Sequence, residues 1–286
     1  MVASFVDMRT HRERPGGVDG PRLVLSRLPR GESVISRQSM SIKLVLEGEE
    51  SYVCSGRNYR LRAGEMLLVS ASSETMVAQI RKGDGAGICV YFAEGDFEIP
   101  AAAHDILLDG PVTLSAAGSP LVEQMRAAGR KVASTPDAGP AVANAAVAST
   151  AEWLRGLLRS PASPFAGATA ARPATRRELI RRAELSRGYL HAIQDRHVSL
   201  RELASYANTS PFHLSRVFTQ FYGVPPAAYH RELRLDAIAA RLRTEKLNLS
   251  RAAAELGYSD QAAFTKAFKR RFGMPPGEWM RGAKAA

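Results

Sequence analysis

The chain has 286 residues, about twice the size of a typical single domain, which predicts two domains. The formal net charge of +11 lies in residues 172–286, which contain 21 Lys and Arg against 10 Asp and Glu, and this predicts either a module that contacts nucleic acid or a solvated basic surface. The N-terminus has no apolar signal region, and no apolar run approaches the ~20 residues of a membrane span. Two cysteines are too few for a disulfide framework or a Cys-rich zinc site. We therefore expect a cytoplasmic protein without a membrane or metal partner.

Short apolar runs separated by Gly and Asn predict β-structure in the first third of the chain. The predicted strands cover residues 41–46, 51–54, 59–62, 66–70, 76–80 and 88–92. Their close spacing is typical of a meander that closes into a small barrel or a sandwich. His11 and His104 lie outside these strands, so we expect neither a metal site nor a nucleophilic triad in this half.

Helical periodicity begins near Leu121 and predicts two helices before a linker. The face of the second helix carries Val142, Ala146, Ser149, Trp153 and Leu157, which would either pack on the β-domain or form a dimer interface. Residues 160–175 contain three prolines and many small side chains, as linkers do. The predicted division is therefore a domain at 1–160, a linker at 161–175 and a second domain at 176–286.

An internal repeat occupies the basic half, where residues 198–229 recur as residues 247–279. At an offset of 49, Leu200, Leu203, Ala204, Ala207 and Asn208 match Leu249, Ala252, Ala253, Leu256 and Gly257. At an offset of 50, Leu214, Phe218, Gly223, Pro225 and Pro226 match Phe264, Phe268, Gly273, Pro275 and Pro276.

Each repeat predicts a short helix, a tight turn and a second helix whose N-cap is Ser210 or Asp260. The second helix has an apolar inner face and a polar, basic outer face, as in a helix-turn-helix that binds in the major groove of double-stranded DNA. The two predicted units span about 199–222 and 249–273. The helix predicted at 226–243 would be roughly 27 Å long. It could therefore place the two second helices about one DNA turn (~34 Å) apart.

Residues 186–280 resemble the AraC/XylS family of bacterial transcription regulators. The resemblance is carried by Arg234-Leu235 with Ala237-Ile238, by Ala253 with Gly257-Tyr258-Ser259-Asp260, and by Phe264, Phe268-Lys269, Phe272-Gly273 and Pro276. One departure is the alanine-rich start of the second repeat, Ala252 to Ala254, where the family usually has larger aliphatic residues.

The resemblance implies an α+β chain of two domains. The N-terminal domain would be a small, cupin-like β-barrel sensor with trailing helices that dimerise, and the C-terminal domain an all-α double helix-turn-helix. The implied function is a DNA-binding activator that responds to a small-molecule effector or a partner, contacts RNA polymerase and forms a homodimer. The alternative is a ligand-independent regulator whose N-terminal domain only dimerises or contacts RNA polymerase. No cofactor and no enzymatic activity are expected.

The resemblance also assigns contact residues on the two second helices. Six side chains are expected at base edges: Phe212, Ser215, Arg216, Gln261, Ala262 and Lys266. Five are expected at the DNA backbone: His213, Thr219, Thr265, Lys269 and Arg270. The basic run Lys269-Arg270-Arg271 would form either a phosphate contact or a solvated face. Arg216 is the strongest candidate for base recognition, because its guanidinium can bond to guanine O6 and N7 together.

Overall fold

The computed structural model describes residues 3–7, 20–28, 31–35, 39–70, 76–80, 85–93, 110–116, 119–160, 173–245 and 247–282. The chain forms two compact units. The N-terminal unit is Met1–Glu184 with Gln220–Gly223, and the C-terminal unit is Leu185–Thr219 with Val224–Ala286. His11, His104 and most of the predicted linker lie outside the described residues.

The described residues of the N-terminal unit form two open β-sheets. Its strands are β1 (Ser4–Asp7), β2 (Arg22–Leu28), β3 (Gly31–Ile35), β4 (Ser41–Glu47), β5 (Glu49–Cys54), β6 (Arg57–Arg62), β7 (Glu65–Val69), β8 (Met76–Ile80), β9 (Gly85–Tyr91) and β10 (Val112–Ser115). One sheet has the order β1-β2-β9-β4-β7-β10 and the other the order β3-β8-β5-β6. Only β1 and β2 pair in parallel among the described strands.

A shared core lies between the sheets, as in a sandwich. The six-stranded sheet contributes Val45, Leu67 and Val69, and the four-stranded sheet contributes side chains such as Tyr52 and Leu61. These positions alternate along their strands because successive side chains point to opposite faces. The described strands therefore form two packed sheets, and neither sheet closes on itself as the predicted barrel would.

Two helices follow the strands, α1 (Pro120–Ser134) and α2 (Gly139–Arg159). Helix α2 packs on β1, β2 and β9 of the six-stranded sheet, and α1 packs against α2. Of the predicted stripe on α2, Val142 and Ala146 are buried, whereas Ser149, Trp153 and Leu157 are half-buried. The first part of the stripe therefore packs within the unit, as the first interpretation predicts. Its second part remains partly open to solvent, as a dimer interface would be in a single chain.

The secondary structure of the described part of the C-terminal unit is entirely helical. Its helices are α3 (Pro173–Ala192, which begins in the N-terminal unit), α4 (Leu200–Tyr206), α5 (Pro211–Tyr222), α6 (Pro226–Thr244), α7 (Leu249–Leu256), α8 (Gln261–Phe272) and α9 (Pro276–Gly282). The start of α3 at Pro173 lies within the stretch predicted as linker. No helix in the described ranges is long and apolar enough to cross a membrane.

Candidate nucleic-acid interface

The first helix-turn-helix unit consists of α4, a turn and α5. The Ser199 hydroxyl accepts a hydrogen bond from the Glu202 N–H at 3.1 Å, and the Ser210 hydroxyl accepts one from the His213 N–H at 3.2 Å. Each cap satisfies an N–H group that has no partner within its helix. Between the helices, Asn208 has φ = 50°, a left-handed conformation that Asn tolerates better than most residues.

The second unit repeats this construction with α7 and α8. Asn248 Oδ1 accepts a hydrogen bond from the Arg251 N–H, and Asp260 Oδ1 accepts one from the Ala263 N–H, both at 2.7 Å. The Ala263 bond is the main reason that the pKa of Asp260 lies below its usual value. Gly257 has φ = 78° at the position that matches Asn208. The predicted caps and turn residues are therefore confirmed in both units.

The second helices of the two units, α5 and α8, bury the same face. Residues 211–218 and 261–268 follow an identical order of exposed, half-buried and buried side chains. The buried members are Leu214, Val217 and Phe218 in α5, and Phe264, Ala267 and Phe268 in α8. We call α5 and α8 the recognition helices, and their solvent-facing sides the outer faces.

Five of the six residues predicted at base edges are exposed on the outer faces, and Ser215 is half-buried. Phe212 is 80% exposed, which is unusual for an aromatic side chain and leaves its ring free of the unit's own core. Gln261 accepts a hydrogen bond from the Ser250 hydroxyl at 3.0 Å, so this amide is already oriented by α7.

The residues predicted at the DNA backbone divide into two groups. His213, Thr219 and Thr265 are half-buried, whereas Lys269 and Arg270 are exposed. The Thr219 hydroxyl donates to the carbonyl of Ser215 at 2.7 Å, one turn earlier in α5. This internal bond occupies the hydroxyl hydrogen, so only the oxygen lone pairs of Thr219 remain for other partners.

Arg271, the third member of the basic run after Lys269 and Arg270, has a partner within the protein. Its Nε and Nη2 atoms bond to the two carboxylate oxygens of Asp236 at 3.1 and 3.0 Å. Asp236 lies on α6, so this forked ion pair connects α8 to α6. No local sequence pattern indicates this pair, because its members are 35 residues apart.

The two outer faces differ in charge. On α5 the only Lys or Arg is Arg216, whereas α8 exposes Lys266, Lys269 and Arg270 as well as the ion-paired Arg271. Phosphate contacts depend mainly on cationic side chains, and base edges are distinguished by directional contacts. The second unit is therefore better equipped than the first for contact with a phosphate backbone.

Three side chains that the sequence analysis did not single out, Tyr189, Arg196 and Glu202, form a hydrogen-bonded group at the first unit. Glu202 accepts bonds from Arg196 at 2.6 Å and from the Tyr189 hydroxyl at 2.8 Å. Arg196 first, and then Tyr189, lower the pKa of Glu202 to about 2. Since Tyr189 lies on α3 and Glu202 on α4, the group connects these helices.

Within the described ranges, no group of His, Cys, Asp or Glu could hold a metal ion.

Comparison with known proteins agrees with this geometry. The model of a helix-turn-helix domain family matches residues 203–282. An AraC-like transcription regulator of Streptomyces antibioticus is 29% identical over 220 residues, which cover 74% of this chain and 69% of that protein. One from Streptomyces lividans is 26% identical, covering 91% of this chain and 88% of that protein. The regulator AlkR of Acinetobacter baylyi is 31% identical over 87 residues, which cover 30% of this chain and only 28% of that protein.

Among solved structures, the DNA-binding domain of AdpA in complex with a target DNA is 21% identical, with a TM-score of 0.32 over 36% of this chain and 93% of that one. The two Streptomyces relatives are transcription regulators and not enzymes, and the matching domain is a helix-turn-helix. These similarities support an AraC-type DNA-binding transcription regulator, with residues 203–282 as its helix-turn-helix domain.

Proposed function

We propose that the chain activates transcription from sites that contain two DNA boxes, each bound in the major groove by one recognition helix. The observation that carries this proposal is the duplicated outer face, with the same burial order in residues 211–218 and 261–268. An activator of this kind would contact RNA polymerase as well as DNA, and it would act in the cytoplasm, where bacterial DNA lies. The proposed domains are 1–160 and 176–286.

Within this proposal, α5 supplies base recognition and α8 supplies both base recognition and most phosphate contacts. The Arg216 guanidinium bonds to guanine, and the exposed ring of Phe212 meets a thymine methyl group. On α8, Gln261, Ala262 and Lys266 approach base edges. Lys269 and Arg270 contact phosphates, as do the polar atoms of His213 and Thr265. The Thr219 hydroxyl would contact a phosphate only by exchanging its bond to the Ser215 carbonyl for one to the phosphate.

Arg216→Ala is expected to weaken binding to the preferred site by about 1–3 kcal/mol and to relax the preference at one base pair. Loss of a bidentate guanine contact removes both affinity and discrimination. The measurement is a binding-site selection from random duplexes with the full chain and with the variant. An unchanged base preference combined with a uniform loss of affinity would show that Arg216 contacts phosphate instead.

Arg270→Ala is the matched control, since Arg270 is an exposed arginine on the other recognition helix. It should weaken binding to all sequences alike and reduce the slope of log affinity against log salt by about one.

The N-terminal unit is proposed to be a sensor of the cupin type that binds a small molecule. A buried polar group between its sheets favours this over a ligand-independent role. Lys43 Nζ lies 3.3 Å from Glu50 Oε2 and donates to the Ser26 hydroxyl at 2.6 Å. The other Glu50 oxygen, Oε1, is buried and has no hydrogen-bond partner among the described residues. Such an atom could accept a bond from a ligand hydroxyl or amine.

A ligand that binds only the folded unit must raise its melting temperature. Thermal unfolding of the full chain with candidate metabolites therefore tests the sensor role. If no metabolite shifts the transition, the ligand-independent alternative gains support.

We also propose that the half-buried part of the α2 stripe forms a homodimer interface. Trp153→Asp and Leu157→Asp should then convert a dimer into a monomer, because burying an unpaired carboxylate costs several kcal/mol. Ser149→Ala, on the same stripe, should leave the dimer intact. Sedimentation of the full chain measures this, and an unmutated chain that sediments as a monomer contradicts the proposal.

A further inference from the structure

The connecting helix α6 carries two buried polar side chains on one side. His230 is 2% exposed and Arg234 is 7% exposed. They are four residues apart, so they lie one above the other on the same face of the helix. A buried guanidinium is unfavourable unless its N–H groups are hydrogen-bonded, and its partners therefore indicate why an arginine occupies this position.

Arg234 bonds to main-chain carbonyls on both sides of the unit. Its Nε donates to the carbonyl of Gln194 at 3.3 Å, just after the end of α3, and its Nη2 donates to the carbonyl of Glu255, in the last turn of α7. Carbonyls at helix C-termini have no partner within the helix and carry partial negative charge, so both favour a cation. The planar guanidinium has five donors in fixed directions and can satisfy both ends.

Two neighbouring side chains of α6 strengthen the same connection. His230 Nε2 donates to the carbonyl of Ile193 at 2.6 Å, next to the Gln194 carbonyl. Arg241 Nη1 donates to the Glu255 carboxylate at 2.5 Å, so Glu255 is bonded to α6 through its main chain and its side chain. The end of α3 and the end of α7 are thus both fixed to one face of α6.

We infer that Arg234 is a positioning residue that sets the placement of α5 relative to α8, and thereby the number of base pairs between the two DNA boxes. This inference rests on the proposed function, because it requires both recognition helices to bind one duplex. One additional base pair moves a box by about 3.4 Å and rotates it by about 35° around the DNA axis. A rigid connection between the recognition helices therefore accepts one spacing and rejects its neighbours.

The test is a binding-site selection from random duplexes with the full chain and with Arg234→Met, which keeps an unbranched apolar stem and removes the donors. We expect the unmutated chain to select two boxes at one dominant spacing. The variant should select the same two boxes at several neighbouring spacings. One base pair is then inserted between the boxes of the duplex that the unmutated chain selects. This insertion should lower the affinity of the unmutated chain by at least about tenfold, but the affinity of Arg234→Met by less than about threefold.

Two variants separate this role from general destabilisation. Arg231→Met makes the same replacement at an exposed position of α6 and should keep the single spacing. Val217→Ala leaves a cavity in the core of the first unit. It should lower the affinity for DNA by the same factor at every spacing between the two boxes. If circular dichroism shows that Arg234→Met does not fold, Arg234→Lys is measured in the same way, since lysine keeps the charge but its single nitrogen is not a planar fork.

The outcomes distinguish the inference from the function on which it rests. A folded Arg234 variant that keeps the full penalty for an inserted base pair overturns the inference and leaves the two-box function intact. An unmutated chain that selects only one box overturns the proposed function, and the inference with it.

Discussion

Glu50→Ala is expected to lower the free energy of unfolding of the N-terminal unit by about 3–5 kcal/mol. The Glu50 and Lys43 side chains are only 1% and 8% exposed, so removal of the carboxylate leaves the buried ammonium group without its anionic partner among the described residues. The Tyr52 hydroxyl, which donates to Glu50 Oε2 at 2.5 Å, loses its acceptor as well. Burial and the Glu50 charge raise the pKa of Tyr52 well above its usual value, so this phenol stays protonated and needs an acceptor. Urea unfolding of the full chain measures the loss.

The neighbouring residue Glu49 provides the control. Its ion pair with Arg60, at 3.2 Å, is partly exposed, with Glu49 42% open to solvent. Glu49→Ala should therefore change stability by no more than about 1 kcal/mol. The double variant Lys43→Met with Glu50→Leu removes both charges and should recover most of the stability that Glu50→Ala loses. Equal effects of Glu49→Ala and Glu50→Ala would contradict the importance assigned to burial.

Phe268→Ala is expected to lower the stability of the second helix-turn-helix unit by about 3–5 kcal/mol. Phe268 is fully buried, and its ring lies 4.4 Å from that of Phe272 and 5.9 Å from that of Trp279, measured between centroids. Because α8 depends on this cluster, the variant should lose its base preference at the second box and keep it at the first. Binding-site selection together with urea unfolding measures both effects.

The matched variant is Phe218→Ala, at the equivalent position of α5 and also fully buried. It should show the converse pattern, with loss of the first box and retention of the second. If either variant abolishes preference at both boxes, the two units do not fold as separable parts.

The C-terminal fold could be predicted because its signals are local. Asn208 and Gly257 mark the turns, Ser210 and Asp260 cap the helices that follow, and the apolar side chains recur every three or four residues. Each of these signals depends on neighbours within one or two helical turns. The internal repeat showed every signal twice, which made a chance pattern improbable.

The N-terminal sheets were predicted only in part because strand pairing is not local. Six strands between residues 41 and 92 were recognised, but β1, β2, β3 and β10 were not. Ser4 pairs with Arg22, and Leu23 pairs with Val90, partners that a local pattern does not specify. The choice between a closed barrel and two open sheets depends on which strands pair at the edges, and short apolar runs leave that choice open.

The outer faces of the recognition helices followed from periodicity, but the contacts that orient those helices did not. Arg271 pairs with Asp236 across 35 residues, and Arg234 reaches the Gln194 carbonyl across 40. From sequence alone, a basic side chain near a candidate DNA surface is equally compatible with phosphate contact and with an internal bond. Only the three-dimensional placement distinguishes Lys269 and Arg270 from Arg271, which is ion-paired with Asp236.

The two recognition helices share a buried face but carry different exposed side chains, and under the proposed function this would give the DNA site a direction. A symmetric dimer of identical single helix-turn-helix units binds a palindrome and is unchanged when that palindrome is reversed. In the proposed function, a single chain with Arg216 on one helix and Lys266 on the other would read two unlike boxes in a fixed order. Inverting the site would turn the whole complex around on the DNA, so transcription from a neighbouring promoter should depend on the orientation of the site as well as on its distance.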